Sequence, residues 1–258
     1  MAREQWNFHG TDLSVRGKWD VEEVLEGIGI PPYRGSDLGV PFQHGKRWIK
    51  KRFDRRKVVL SMWIKGANRE RLDQHIDEFL KGIGTPGLHP LRRVMKNGEI
   101  REAQGELCAP IHLARKGPGY AKFALEIELA DPFFYGTTLS TETKVSSGTK
   151  TTWTHANVGT AQAVKMKVTL TGPLSNPVLW NKSNDVWLQY LGSLGIGDTL
   201  VIDTKAFTAL LNGVNRISAI RHGGDPYWMV LGPGNNSLEL ETGTVGGSAK
   251  VEYYPAFY

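Results

Sequence analysis

The chain reads as mainly β, an N-terminal β domain with one helix followed by a C-terminal β-sandwich. Three observations predict this. Apolar residues recur at every second position through several separate segments, the spacing of a strand with one face in a core. A single stretch changes to the three-and-four spacing of a helix. Between residues 131 and 152 a proline-stopped strand runs into a Ser/Thr-rich stretch, after which a new series of short strands begins.

The clearest strand is Phe123, Leu125, Ile127 and Leu129, alternating with Lys122, Ala124, Glu126 and Glu128. Val58, Leu60, Met62 and Ile64 mark a second buried face, and Val164, Met166, Val168 and Leu170 a third. Shorter alternations stand at Leu200/Ile202, Leu238/Leu240 and Val251/Tyr253. Asn97-Gly98 and Asn212-Gly213 suit the positive φ angles of a type I′ turn and predict hairpins. The helix is expected from Asn68, as N-cap, through Leu72, Ile76, Phe79 and Leu80, with Gly82 as its left-handed C′ residue. Trp19–Leu25 is short and ends in a Gly/Pro run, and a strand is the better reading there. Asp131-Pro132-Phe133-Phe134-Tyr135-Gly136 ends the first series, which predicts domains at 1–136 and 137–258.

The chain has 258 residues, 40% hydrophobic and 22% charged, so wholesale disorder is not expected. No apolar run reaches the roughly 18 residues of a membrane span, and the first residues lead into no apolar segment of a secretory signal. The one cysteine, Cys108, has no intrachain partner and supports no thiolate metal cluster. Charge is concentrated. Residues 34–57 hold nine basic side chains against Asp37 and Asp54, a net of +7 where the whole chain carries +6. Such a patch attracts an acidic surface or phosphate.

Its densest part, Lys46-Arg47-Trp48-Ile49-Lys50-Lys51-Arg52-Phe53-Asp54-Arg55-Arg56-Lys57, interleaves cations with aromatics, as single-stranded nucleic-acid binders do. No helix-turn-helix, ribonucleoprotein motif or zinc site accompanies it, so the expected use is a loop-to-strand edge whose charges prevent sticking, or an oligomer interface facing acidic neighbours. Gly39 to Gly45-Lys46 has one residue too many for a P-loop, and Arg47 stands where magnesium needs Ser/Thr. The seven histidines show no metal-ligand spacing. Asp198 and Asp203 would face opposite ways on one strand and make a poor acid/base pair. No catalytic, metal or cofactor site is expected. Trp153, Trp180, Trp187 and Trp228, with Tyr190 and Tyr227, read mostly as core. Trp187, opposite Val186, Leu188 and Tyr190 in its alternation, is the candidate for a weak glycan contact.

Taken in order, the segments Pro31-Pro32-Tyr33-Arg34-Gly35-Ser36-Asp37, His44-Gly45, Trp48, Arg56 and Ile64-Lys65-Gly66, then Asp131-Pro132-Phe133-Phe134-Tyr135, then Asn176-Pro177, Gly197-Asp198-Thr199-Leu200-Val201-Ile202-Asp203-Thr204 and Leu231-Gly232-Pro233-Gly234-Asn235-Asn236, resemble the distal tail proteins of siphoviruses, the phage tail-component family. The resemblance implies a β-barrel-like N-terminal domain with one helix, related to tail-tube subunits, and a galectin-like C-terminal β-sandwich. It implies a homo-oligomeric ring, usually a hexamer, joining the tail tube protein to the tail-tip or tail-associated protein. DNA would meet this protein only in transit through the channel, and no membrane is involved. The expected location is the distal end of the tail in the virion, after synthesis in the host cytoplasm. The candidate oligomer or partner interface is Lys46, Arg47, Lys50, Lys51, Arg52, Arg55, Arg56 and Lys57. A carbohydrate-binding module acting in host-surface adsorption is the alternative function.

Overall fold

Strands make up nearly all of the regular structure, and the one α-helix among the described residues falls where the apolar spacing changes. The structure is a computed structural model that describes residues 4–39, 41, 44–224 and 228–258. It divides into two units, Met1–Tyr135 with Tyr258, and Gly136–Phe257.

The N-terminal unit is built on β1 (Gln5–Phe8), β2 (Trp19–Glu26), β3 (Arg56–Lys65), α1 (Arg69–Ile83), β4 (His89–Val94), β5 (Ile100–Leu107) and β6 (Tyr120–Leu129). Its main sheet runs Thr11–Asp12, β1, β4, β5, β6, β3, β2, antiparallel throughout. The two ends of that path are neighbours in the chain, and the Trp19 Nε1–H donates to the Asp12 carbonyl at 2.9 Å. The sheet therefore curls back on itself, in keeping with the barrel-like expectation. Register puts Ala121, Phe123, Leu125 and Ile127 opposite Ile64, Met62, Leu60 and Val58, all buried, so the period-two pattern becomes one apolar face.

Helix α1 covers that face. Asn68 caps it, its side chain accepting from the Arg71 N–H, and Leu72, Ile76 and Phe79 are buried. Phe79 meets Trp19 and Phe123 edge-on at 5.4 and 5.3 Å. The C-terminus differs from expectation. The helix runs on to Ile83, which is buried where Leu80 is only half-buried, and the cap is Gly84 at φ −78°. Gly82 is needed for space: a Cβ there would lie 2.6 Å from Thr11 Oγ1, which donates to the Gly82 carbonyl at 3.0 Å.

The C-terminal unit holds β7 (Ser140–Val145), β8 (Lys150–Asn157), β9 (Met166–Thr171), β10 (Val178–Asn181), β11 (Val186–Tyr190), β12 (Thr199–Asp203), β13 (Thr208–Leu211), β14 (Ile220–Gly223), β15 (Gly234–Glu241) and β16 (Ser248–Tyr253). One sheet runs β7, β16, β9, β12, β13 and Val214–Asn215; the other runs β8, β15, β10, β11, β14. Val168, Leu170, Leu200, Ile202 and Val251 from the first share one buried cluster with Leu179, Val186, Leu188, Leu238 and Leu240 from the second. That makes a β-sandwich. A polar clamp crosses it. His155 Nε2 lies 2.9 Å from the Tyr253 hydroxyl, and His155 Nδ1 is hydrogen-bonded to Glu142, so β8 is tied to β16 and β7.

Turn chemistry explains the predicted hairpins unequally. Asn212 (φ +48°) and Gly213 (φ +84°) both take the left-handed region and join Leu211 to Val214, a type I′ hairpin. The Asn97-Gly98 link is longer. Val94 pairs with Ile100, Gly98 alone has positive φ, and the Asn97 side chain accepts from the Glu99 N–H at 3.0 Å.

Candidate interface on the basic arm

The basic run lies on an arm between β2 and β3. Gly27, at φ +95°, passes so close to β3 that a Cβ there would lie 2.6 Å from the Lys57 carbonyl oxygen, which requires glycine at the arm's start. Beyond it, Tyr33–Arg34 pairs with Arg52–Phe53, and Leu38–Gly39 pairs with Lys46–Arg47. The arm is thus a long, narrow hairpin with almost no core of its own. An aromatic knot holds its root. Tyr33 stacks on Phe53 at 5.1 Å, and Phe53 meets Phe133 and Tyr258 at 5.4 and 5.6 Å.

The eight candidate cations fall into distinct groups. Lys46 and Arg47 are exposed, with no ion pair among the described residues, and Lys50 and Arg52 are exposed beside them. Lys51 lies 3.5 Å from Asp37. Arg55 and Lys57 are paired within the unit, Arg55 with Glu128 at 3.0 Å and Lys57 with Glu126, both partners on the adjacent strand β6. The Glu126 bond raises the Lys57 ammonium above the ordinary lysine range. Two charges of the run's +7, those of Arg55 and Lys57, are therefore answered by carboxylates outside the run.

Arg56 stands apart from its neighbours. It is 2% exposed, so it presents no surface to a partner. Its guanidinium donates to the carbonyls of Gly29 at 2.9 Å and Gly27 at 3.4 Å and lies 5.6 Å from the Phe134 ring. Burial first, then the nearby Arg93 charge, pushes its pKa down to about 10, with Asp131 opposing. Guanidinium remains charged at neutral pH. Arg56 braces the arm root by supplying donors to carbonyls that no strand satisfies.

The arm also exposes large apolar side chains, which the charge analysis alone overlooked. Trp48 is 72% exposed, Ile30 65%, Tyr33 60%, Leu38 54% and Ile28 49%, and Leu25, at the end of β2 beside them, 57%. A cluster of this kind on one element marks an interaction surface. The available signal was the failure of residues 25–49 to alternate.

Trp187 lies on the outer face of its sheet, half-buried, while Val186, Leu188 and Tyr190 point inward. Its indole covers Gly223, where a Cβ would come within 2.4 Å of Nε1. Trp180 lies beside it at 5.8 Å, with the Lys182 ammonium 3.8 Å over the Trp180 ring. Trp153 and Trp228 belong to the core cluster, and Tyr227 lies outside the described residues. Asp198 closes a turn, accepting from Asn212 and from the Gly195 N–H, and these bonds hold its carboxyl below the usual range. Asn236 closes the loop before β15, accepting from the Gly232 N–H at 2.8 Å. Among the described residues no three His, Cys, Asp or Glu are grouped to hold a metal ion.

Residues 158–257 match the siphovirus-type tail component, C-terminal domain. No curated protein sequence matches the chain. Among solved structures the chain is similar to SPP1 Dit (gp 19.1), described there as a paradigm of the hub adsorption apparatus in Gram-positive-infecting phages, at 16% identity and TM-score 0.70, covering all of both chains. A chain of the phage P2 baseplate in its calcium-activated conformation aligns over 97% of this chain and 98% of that one, at 10% identity and TM-score 0.43. Residues 158–257 therefore match a siphovirus-type tail component C-terminal domain, and the chain as a whole, mainly β, shares the fold of SPP1 Dit over its full length.

Proposed function

We propose that this chain is a structural adaptor at the distal end of the tail, forming a homo-oligomeric ring, a hexamer, between the tail tube protein and the tail-tip apparatus. The observation that carries the reading is the pairing, in one chain, of a tail-component C-terminal domain with an N-terminal unit whose arm turns Trp48 and Leu38 outward among cations. A surface of that kind is spent on protein neighbours, and contacts between unlike patches close into rings. The work assigned to the chain is assembly: it catalyses nothing, holds no cofactor and lets DNA pass through the ring's channel. The C-terminal sandwich is galectin-like in this reading and lies at the ring's periphery. Immuno-gold labelling of purified tails tests it. Label at the tail's distal end, one cluster per particle, is expected; label absent from purified particles overturns the adaptor.

A second reading rests on the Trp180–Trp187 pair, whose rings lie on an outer sheet face where a pyranose can stack. Titrating host-wall glycans while following tryptophan fluorescence separates the two. A saturable shift lost in Trp187→Ala supports direct glycan contact; a flat titration leaves the adaptor alone.

A further inference from the structure

We infer that Asn97 is a self-modification site, an amide that converts to aspartate and isoaspartate in the folded protein, while Asn212, in the same sequence setting, is held unreactive by its hydrogen bonds. The chain has two Asn-Gly steps, Asn97-Gly98 and Asn212-Gly213. Asparagine is most reactive before glycine, which has no Cβ to shield its backbone nitrogen. That nitrogen loses its proton to hydroxide and attacks the asparagine Cγ. The new C–N bond closes a five-membered imide, the Cγ–Nδ2 bond breaks, and the amide nitrogen takes a proton from water and leaves as ammonia. Water then opens the imide. Cleavage at Cγ gives aspartate; cleavage at the backbone carbonyl gives isoaspartate, with an extra methylene in the main chain.

Exposure does not separate the two steps. Both lie at exposed hairpin tips, and a Cβ on Gly98 or Gly213 would meet nothing within 4 Å. Bonding separates them. The Asn212 N–H donates to the Thr199 carbonyl at 2.9 Å, its Oδ1 accepts from the Thr199 N–H at 2.9 Å, and its Nδ2 donates to the Asp198 carboxylate at 2.8 Å. Those partners sit on a second turn, which Asp198 closes by accepting from the Gly195 N–H at 2.7 Å. Swinging the Asn212 Cγ over the Gly213 nitrogen therefore pulls two turns apart.

Asn97 is bonded only within its own loop. Its Oδ1 accepts from the Glu99 N–H at 3.0 Å, and its amide faces the Glu99 carboxylate. The Gly98 nitrogen is freed by opening one bond, to the Met95 carbonyl at 2.9 Å. Every partner thus lies between Met95 and Glu99, and a local opening of the tip brings Cγ and nitrogen together while β4 and β5 stay paired. The product places a new carboxylate beside Glu99, whose own carboxylate is already held by Arg101 at 2.9 and 3.2 Å. Like charge, and in isoaspartate the added methylene, then loosen the tip between β4 and β5.

Peptide mapping by mass spectrometry tests it, on the full chain held folded in mildly alkaline buffer, with isoaspartate counted by enzymatic methylation. Asn97 is expected to convert roughly 30-fold or more faster than Asn212, the effect of the extra bonds that Asn212 must break. In denaturant the two rates should converge. Asp198→Ala releases the Asn212 amide and should speed conversion there several-fold. Asn97 belongs to the other unit and should keep its rate, which separates local release from general loosening. Converted chains should show faster amide exchange at Gly98 and Glu99, and Asn97→Gln chains carried through the same incubation should not. Equal rates at the two sites in the folded chain, or conversion of Asn97 only once the chain unfolds, overturn the inference. An Asn212 that stays slow in Asp198→Ala overturns the hold assigned to its bonds.

Discussion

The arm and the sandwich use similar side chains in opposite ways. In β9, β12 and β16 every second residue is apolar and faces the shared core; Val168, Ile202 and Val251 are at most 1% exposed. On the arm Trp48, Leu38 and Ile30 are more than half exposed, and no second layer covers them. A strand pattern that finds its partner within the chain stabilises the fold. A set of apolar side chains with no internal partner stabilises an assembly instead. Mutations should therefore separate: sites in the core should move the melting temperature, and sites on the arm should move association.

The largest expected effect is in the N-terminal core. Phe79→Ala removes an aromatic that touches Trp19 and Phe123 and should cost about 3–5 kcal/mol of stability, read by denaturant unfolding. Trp48→Ala, by contrast, should change monomer stability by no more than about 0.5 kcal/mol. If the two variants destabilise alike, the division between core and arm is wrong.

Next in size is Arg56. Arg56→Ala leaves the Gly27 and Gly29 carbonyls without their donor and should cost about 1–3 kcal/mol, with amide exchange accelerating across residues 27–34. Arg55→Ala, one residue away and exposed, should leave that exchange unchanged. Equal acceleration in both would remove the brace assigned to Arg56.

How much of this was legible in the residues follows the same line. The strands at 58–64, 122–129 and 166–171 and the helix at 69–83 rest on local periodicity, which needs no knowledge of distant partners. The basic run was legible as a surface, yet its members could not be sorted. Glu126 and Glu128, which answer Lys57 and Arg55, belong to a strand some seventy residues downstream, and only the β3–β6 register brings them alongside. Arg56 looked like its basic neighbours because burial depends on where the Gly27–Gly29 turn passes. The Tyr33, Phe53, Phe133 and Tyr258 knot was invisible for the same reason. Gly82 was read as a cap because a glycine near a helix end usually is one, whereas packing against Thr11 is what requires it.

The sandwich offers a contrast of intermediate size. Burial raises the Tyr253 phenol above its ordinary range, so the unfolded chain loses that proton first as pH climbs. The sign follows: between the unfolded pKa near 10 and the higher folded value, the native state binds more protons and stability falls with rising pH. Tyr253→Phe should flatten that alkaline slope in thermal melts, and an unchanged slope would assign it to another group. His155→Ala should cost about 1–3 kcal/mol by removing the ring that ties Tyr253 to Glu142, leaving the Tyr253 hydroxyl with Ser140 alone. The smallest effect belongs to the exposed Lys57–Glu126 pair. Lys57→Ala should leave the melting temperature within experimental scatter, because solvent screens such pairs.

The most direct test of the account is the native mass of the purified protein across a concentration series, measured for the unaltered chain and for Trp48→Ala side by side. The account predicts a closed assembly of about six copies for the former, and for the latter a population displaced to single subunits whose melting temperature is unchanged. An unaltered chain that stays a single subunit at every concentration, or a Trp48→Ala chain that closes rings as readily, would contradict it.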